Sequence, residues 1–170
     1  MSWRHYLELD DPALLAQCAF DRYRASGPGG QKRNRTDSAV RLRHLPSGLQ
    51  AEAVESRSQH ENRDRALRRL KVTIALGLRA SMEEATQEER AALRGLLADP
   101  PARIRPADLV ALAVLFDVLE EHRWRLSEAA SALGTSTAAV GRLLATDPHL
   151  WRAAAERRAA AGLPPLRRGR

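Results

Sequence analysis

Three glycines and a glutamine lie close together in a run that reads Ser-Gly-Pro-Gly-Gly-Gln from Ser26 to Gln31. Glycine has no Cβ, so Gly27, Gly29 and Gly30 permit backbone conformations with positive φ and leave their amides open to a ligand. The Gln31 amide donates and accepts hydrogen bonds but does not titrate near neutral pH. Such a run can hold a water molecule and direct a backbone N–H at an oxygen that develops negative charge, which is catalysis by geometry.

Positive charge follows the glycine run at once and is uneven along the chain. Three basic side chains come directly after the glutamine: Lys32, Arg33 and Arg35. Residues 1–80 carry a net charge of +6, residues 81–150 carry −4, and residues 151–170 carry +5. Because basic segments attract polyphosphates, this pattern is expected if the first and last parts of the chain bind nucleic acid. The alternative is an arginine-rich surface that is only solvated.

Other kinds of catalytic site are disfavoured by the residues present. The run around Gln31 lacks the Gly-Lys-Ser/Thr ending of a phosphate-binding loop, which argues against nucleotide hydrolysis. A single cysteine, Cys18, cannot form an internal disulfide framework or a cysteine zinc cluster. The five histidines lack the spacing of metal ligands: His5, His44, His60, His122 and His149. We therefore expect no metal site and no cofactor.

Composition and patterning also suggest where the protein works. The N-terminus lacks the apolar core of a secretory signal, and no stretch is long and apolar enough to span a membrane. One lone cysteine is typical of a reducing compartment. With 170 residues, of which 44% are hydrophobic, the chain can bury one ordinary core or two small ones. The sequence thus predicts a globular cytoplasmic protein with no membrane partner.

Segments with the period-two alternation of β-strands lie on both sides of the glycine run. One strand is expected near Ala19–Arg24, directly before it. After it, residues 40–44 and 49–53 alternate between apolar and polar side chains and are joined by a Pro-Ser-Gly turn. These two runs predict an antiparallel hairpin whose polar face carries Arg41 and Arg43.

Helical patterns fill much of the remaining sequence. Ser58 and Ser81 each precede a glutamate by three residues, which is the spacing of a capping box, so helices are predicted to begin there. The second helix is expected to end near Ala98. The proline-rich run Asp99–Pro106 then predicts a stiff linker, the softest expected domain boundary.

A helix-turn-helix is predicted over Leu126–Leu144. Ser127 and Ser136 are expected to cap its two helices, and Gly134 to form the turn between them. The second helix carries Arg142 but otherwise offers threonine, alanine and glycine, which suits packing at least as well as the reading of base edges.

Three parts of the chain are therefore predicted. Residues 1–80 form a small α+β domain. Residues 81–150 form an all-α unit with a linker near residues 99–106, and residues 151–170 form a basic tail that is disordered when free.

The glycine run belongs to a longer pattern of four ordered blocks. The blocks are Arg24–Gln31, Asn34–Arg41, His44–Gly48, and Glu55–His60 with Asn62. This pattern resembles the Gly-Gly-Gln domain of class I peptide chain release factors and of their small ribosome-rescue relatives. A lone Gly-Gly-Gln is weak support, whereas four blocks in order argue against coincidence.

The resemblance implies a fold and an activity. The fold is α+β: a small Gly-Gly-Gln domain, in which a helix packs on an antiparallel sheet, followed here by an all-α unit with a helix-turn-helix-like segment. In the family, the glycine loop reaches the peptidyl-transferase centre of the ribosome, where water attacks the ester that joins the nascent peptide to tRNA. Gly29, Gly30 and Gln31 are then the catalytic residues.

The same resemblance implies partners and further site residues. The partners are the ribosome, through the rRNA of its peptidyl-transferase centre, and peptidyl-tRNA. Gln31 is also where a glutamine methyltransferase would add an N5-methyl group. Basic side chains near the loop and in the tail are expected to bind RNA: Lys32, Arg33, Arg35, Arg41, Arg43, Arg57, His60, Arg63, Arg167 and Arg168.

The sequence departs from the release-factor pattern in two respects. Full-length release factors carry a codon-reading domain and a long helical N-terminal domain, neither of which is recognised here, and Lys32-Arg33 replaces the His-containing pair usual after the glutamine. The resemblance therefore predicts release factor activity of a codon-independent kind, the hydrolysis of peptidyl-tRNA on stalled ribosomes. The alternative is a non-catalytic ribosome- or RNA-binding module whose helix-turn-helix-like unit binds a partner.

Overall fold

The computed structural model describes residues 2–23 and 38–167. The chain divides into two compact units, Met1–Leu78 and Arg79–Arg170. Within the described residues the first unit contains a three-stranded sheet and three α-helices, and the second contains five α-helices. The α+β fold class predicted from the sequence is confirmed.

The first unit is a small antiparallel sheet covered by helices. In chain order its elements are α1 (Trp3–Leu7), α2 (Asp11–Ala16), β1 (Cys18–Tyr23), β2 (Ala39–His44), β3 (Gln50–Ala53) and α3 (Gln59–Gly77). The strand order is β1-β2-β3 and both pairings are antiparallel, with Phe20 opposite Leu42 and Leu42 opposite Ala51. The predicted strand before the glycine run and the predicted hairpin after it are both confirmed.

Alternation along β2 decides which side chains enter the core. Val40, Leu42 and His44 are buried, whereas Arg43 is exposed on the opposite face. The turn that follows ends at Gly48, whose φ of +71° favours a residue without a Cβ. The predicted apolar and polar faces of the hairpin are therefore present.

Helix α3 covers the apolar face of β2 and β3. Ser58 begins it, because its hydroxyl accepts a hydrogen bond from the Glu61 backbone N–H at 3.3 Å. Leu67, Leu70 and Ile74 recur on one face of the helix and are buried. Trp3 and Tyr6 of α1 complete this core.

The second unit is helical. Its elements are α4 (Gln87–Ala98), α5 (Leu109–Glu121), α6 (Leu126–Ala132), α7 (Thr137–Ala145) and α8 (Pro148–Ala160), with short 3₁₀ turns at Met82–Glu84 and Pro106–Asp108. Helix α5 is apolar almost all round and forms the centre of the core, where Leu112, Leu115 and Phe116 are fully buried.

The start of α4 differs from the sequence prediction. Ser81 was expected to begin the helix, but residues Met82–Glu84 form only a 3₁₀ turn and the cap is Thr86. The backbone N–H of Thr86 donates to the Glu89 carboxylate at 2.8 Å, and the Glu89 N–H donates to the Thr86 hydroxyl at 3.2 Å. Both serine and threonine precede a glutamate at capping-box spacing, but only Thr86 stands directly before the apolar repeat that packs.

The proline-rich segment Asp99–Pro106 also differs from expectation. It was predicted as the softest domain boundary, whereas α4 and α5 on its two sides pack against each other inside the second unit. The division between units falls between Leu78 and Arg79, directly after α3 and two residues before the division after residue 80 that the sequence analysis gives. Proline stiffens a connection but does not prevent the helices that it joins from sharing a core.

The helix-turn-helix-like segment is present as α6, a turn and α7. Gly134 adopts a φ of +63° in the turn, and the Ser136 hydroxyl accepts a hydrogen bond from the Ala139 N–H at 3.1 Å. Ser127 was predicted to cap the first helix, but it lies inside α6, which begins after Arg125. Ala130 of α6 and Val140 of α7 are buried, and the two helices pack against each other.

The disorder predicted from Trp151 onwards is wrong for its first ten residues. Helix α8 runs from Pro148 to Ala160, with Asp147 as its cap and proline at its first position. Alanine and arginine, the main residues of this segment, are strong helix formers, and they outweigh the net charge on which the prediction relied. Within residues 2–23 and 38–167, no helix is both long and apolar enough to cross a membrane.

Candidate functional site

The predicted catalytic residues lie outside the described part of the chain. They are Gly29, Gly30 and Gln31, and the same holds for four predicted RNA-binding residues: Lys32, Arg33, Arg35 and Arg168. Strand β1 ends at Tyr23 and β2 begins at Ala39, and these two residues face each other in the antiparallel ladder. The segment that carries the Gly-Gly-Gln sequence therefore leaves and rejoins the sheet at neighbouring positions.

Asn62, in the first turn of α3, binds the backbone of Ser38, where this segment rejoins the sheet. Its side chain is completely buried. Its Nδ2 donates to the backbone carbonyls of Ser38, at 2.6 Å, and of Ser56, at 2.8 Å, while its Oδ1 accepts from the Ser56 N–H at 2.9 Å. Both protons of the Nδ2 group and the amide oxygen are thus used, as a buried amide requires.

The polar face of the sheet carries two arginines with different surroundings. Arg41 stands opposite Asp21 on one side and Glu52 on the other, and its guanidinium lies 3.3 Å from the Glu52 carboxylate. Arg43 is exposed and stands opposite Ala19 and Gln50, neither of which is acidic. Arg43 therefore presents positive charge that its cross-strand neighbours do not neutralise.

A second group of predicted RNA-binding residues lies near the start of α3. Arg57, His60 and Arg63 are exposed, and the His60 Nε2 lies 3.6 Å from the Asp64 carboxylate. His60 and Arg63 line an open cleft of about 330 Å³. Its other lining residues are Leu15, Cys18, Phe20, Leu42 and Gln59.

Phe20 is a residue of this region that sequence reasoning missed. The residue is 39% exposed, and the Arg22 guanidinium lies 6.0 Å from the ring centroid. In the sequence, Phe20 is an aromatic residue at an alternating position of a predicted strand. In the structure this strand lies at the edge of the sheet, where α3 does not cover the side chain. An exposed ring beside arginines is suited to stacking on a nucleobase.

Cys18, also in the cleft, is in surroundings that disfavour a nucleophilic thiolate. Its thiol donates to the Leu14 carbonyl at 3.2 Å, and burial raises the pKa of the thiol above its ordinary value. A raised pKa lowers the fraction of reactive thiolate. The structure thus agrees with a packing role for this side chain.

His44 is buried in the sheet and supports the turn after β2. Because the Gln17 Oε1 can only accept, the His44 Nε2 donates to it at 3.3 Å, and the Nδ1 accepts from the Ser47 hydroxyl at 2.7 Å. The Tyr6 ring packs edge-on against the imidazole, with 4.4 Å between the two ring centroids. Desolvation lowers the pKa of His44 below its ordinary value, so burial favours the neutral form of the ring.

The described residues bring the predicted RNA-binding side chains together only in part. Arg41, Arg43, Arg57, His60 and Arg63 all belong to the first unit, whereas Arg167 belongs to the second and is exposed there. Among residues 2–23 and 38–167, no group of three histidine, cysteine or carboxylate side chains is placed to hold a metal ion.

Comparison with known proteins assigns the family. The model of the RF-1 domain matches residues 15–106, which is more than half of the chain. The protein therefore belongs to the RF-1 domain family of class I release-factor-like proteins, and the resemblance seen in the four sequence blocks is confirmed.

The similarity to a known release factor covers only part of each chain. The chain is 55% identical over 60 residues to peptide chain release factor 1 of Burkholderia multivorans. That match covers 35% of this chain and 17% of the relative, so the chain matches about a sixth of the length of the release factor.

Proposed function

We propose that this protein hydrolyses the ester bond of peptidyl-tRNA on stalled ribosomes, without reading a codon. The observation that carries the proposal is the Gly-Gly-Gln sequence of an RF-1 domain, in a segment that is connected to two adjacent strand ends. Asn62 supports the proposal, because it fixes the end of this segment to α3.

In the proposed reaction, a water oxygen attacks the carbonyl carbon of the ester. The bond from that carbon to the ribose oxygen of the tRNA then breaks, the peptide leaves as a carboxylic acid, and the ribose oxygen takes a proton. The Gln31 amide would orient the water, and a backbone N–H of Gly30 or Gln31 would stabilise charge on the carbonyl oxygen.

The charge distribution of the first unit supports binding to rRNA. Arg43, Arg57 and Arg63 are exposed, and Lys32, Arg33 and Arg35 stand next to the catalytic sequence. Cationic side chains provide affinity for phosphates, whereas the uncharged Gly-Gly-Gln sequence adds no titrating group at the reacting ester.

Methylation of Gln31 by a glutamine methyltransferase stays a prediction from the family resemblance.

Replacement of one amide tests the proposal. Ribosomes that carry labelled peptidyl-tRNA, with no stop codon in the decoding site, are mixed with the protein and the release of peptide is measured. We expect the native chain to release peptide and Gln31→Ala to lower the rate constant by about 100-fold or more. Gln87→Ala, which removes an exposed glutamine in the second unit, should keep the native rate.

The second candidate function is a non-catalytic ribosome- or RNA-binding module. The observation in its favour is the geometry of α6 and α7, which have the turn and cap of a helix-turn-helix. Helix α7 exposes Thr137, Ala138 and Arg142, a surface with one cation and small side chains. Equal and slow release by the native chain and by Gln31→Ala would favour this function over hydrolysis.

A further inference from the structure

Asn62 makes contacts that helix stability alone does not require. The first turn of α3 is already capped by Ser58, whose hydroxyl and carbonyl accept from the N–H groups of Glu61 and Asn62. The side chain of Asn62 instead points away from its own helix and joins two other backbone segments, at Ser38 and Ser56.

These two contacts lie at the open end of the hairpin, where the chain enters β2 and leaves β3. Ser38 directly precedes β2 and is the first described residue after the Gly-Gly-Gln segment, and Ser56 lies in the connection between β3 and α3. The three hydrogen bonds are 2.6 to 2.9 Å long and belong to a side chain with no exposed surface. Buried hydrogen bonds of this kind are costly to break, because each one leaves an unpaired polar group behind.

We propose that Asn62 is a positioning residue for the Gly-Gly-Gln segment, which it acts on by fixing Ser38 to α3. This inference rests on the proposed hydrolytic function. The ladder between β1 and β2 holds both ends of the segment through the pair Tyr23 and Ala39, and Asn62 adds a second attachment, to the helix, at Ser38. A catalyst that works by orientation loses rate when its reactive groups shift by about 1 Å, so this contact is coupled to the rate of the chemical step.

Few other side chains can replace this amide. Aspartate has the same shape and can accept from the Ser56 N–H, but its second oxygen faces two carbonyl oxygens to which it has no proton to donate. Alanine removes all three hydrogen bonds. The two donated hydrogen bonds, rather than the volume of the side chain, are therefore the property to test.

The experiment measures peptide release as a function of protein concentration, for Asn62→Ala, Asn62→Asp and the matched control Ser58→Ala. Ser58→Ala weakens the same helix turn without a contact to Ser38. We expect both Asn62 variants to lower the rate constant at saturation by about 10- to 100-fold, with a half-saturating concentration within about twofold of the native value. Ser58→Ala should lower the melting temperature but keep the native rate constant.

Two results would overturn the proposal. One is a native rate constant in Asn62→Asp, which would show that the donated hydrogen bonds do not matter. The other is an equal loss of rate in Ser58→Ala at an equal loss of melting temperature, which would reduce Asn62 to a stability role.

A second readout separates this inference from the proposed function. Backbone amide exchange at residues 38–40 should become faster in Asn62→Ala and not in Ser58→Ala, whether or not the native chain releases peptide. If the native chain releases no peptide, the proposed function fails while the contact to Ser38 is still measured by exchange. If exchange at residues 38–40 is unchanged in Asn62→Ala, the positioning role fails even when release is normal.

Discussion

At the scale of single residues, His44 couples the stability of the first unit to pH. Burial holds the pKa of this histidine below its ordinary value of 6.5, so the unfolded chain binds a proton at a higher pH than the folded chain does. The contribution of His44 to the free energy of unfolding is therefore fully present above about pH 6.5. It declines as the pH falls from there towards the pKa of the folded state.

Denaturant unfolding at a series of pH values between about 7 and 5 measures this dependence. We expect His44→Gln to flatten the decline in unfolding free energy over that range. The control His60→Gln removes an exposed imidazole of the same unit, so a flattening that occurs only in His44→Gln is assigned to the buried ring. An unchanged decline in His44→Gln would show that other groups cause it.

The two arginines on the polar face of the sheet should differ in RNA binding. Arg41 is paired with Glu52, whereas Arg43 has no acidic cross-strand neighbour. We expect Arg43→Gln to weaken binding to ribosomes by about two- to fivefold and Arg41→Gln to weaken it less. The slope of log affinity against log salt should fall by about 0.7 in Arg43→Gln if one single-strand phosphate contact is lost. Equal effects of the two variants would contradict the role of the surrounding carboxylates.

At the scale of elements, the start of α4 distinguishes a cap that is used from a cap that only has the right spacing. Thr86 and Glu89 bind each other's backbone N–H groups, whereas Ser81 serves a 3₁₀ turn. Thr86→Ala should lower the free energy of unfolding by about 1 kcal/mol, and Ser81→Ala by less than about 0.5 kcal/mol. Thermal unfolding followed by helix circular dichroism measures both values. A larger loss in Ser81→Ala would show that the cap is misassigned.

The first unit could be predicted from the sequence more fully than the second. Alternation at Val40, Leu42 and His44 determines which face of β2 is buried, and Ser58 stands directly before the apolar repeat of α3. Each of these signals has one reading. In the second unit, two capping-box sequences lie within six residues of each other. Which of the two caps α4 depends on which start lets the helix pack against α5.

The candidate site was predictable in its residue types but not in its contacts. The Gly-Gly-Gln sequence and the basic residues follow from the printed sequence, whereas the contact of Asn62 with Ser38 joins residues that are 24 positions apart. The exposure of Phe20 likewise depends on how far α3 extends over the sheet. Tertiary packing decides both features, and no local pattern records it.

At the scale of the whole molecule, basic charge is concentrated in the first 80 residues and the last 20, and the residues between them are net acidic. The predicted tail at residues 151–170 is now divided between α8, which carries Arg152, Arg157 and Arg158, and the residues after it. We propose that the first unit performs the chemistry on the ribosome.

Peptide release under single-turnover conditions is the most direct test of the account. It compares ribosomes whose message ends before the decoding site with ribosomes that present a stop codon there. We expect the native chain to release peptide from the first kind at least as fast as from the second, and Gln31→Ala to lose release from both. Release by the native chain only at the stop codon, or undiminished release by Gln31→Ala, would contradict the proposal.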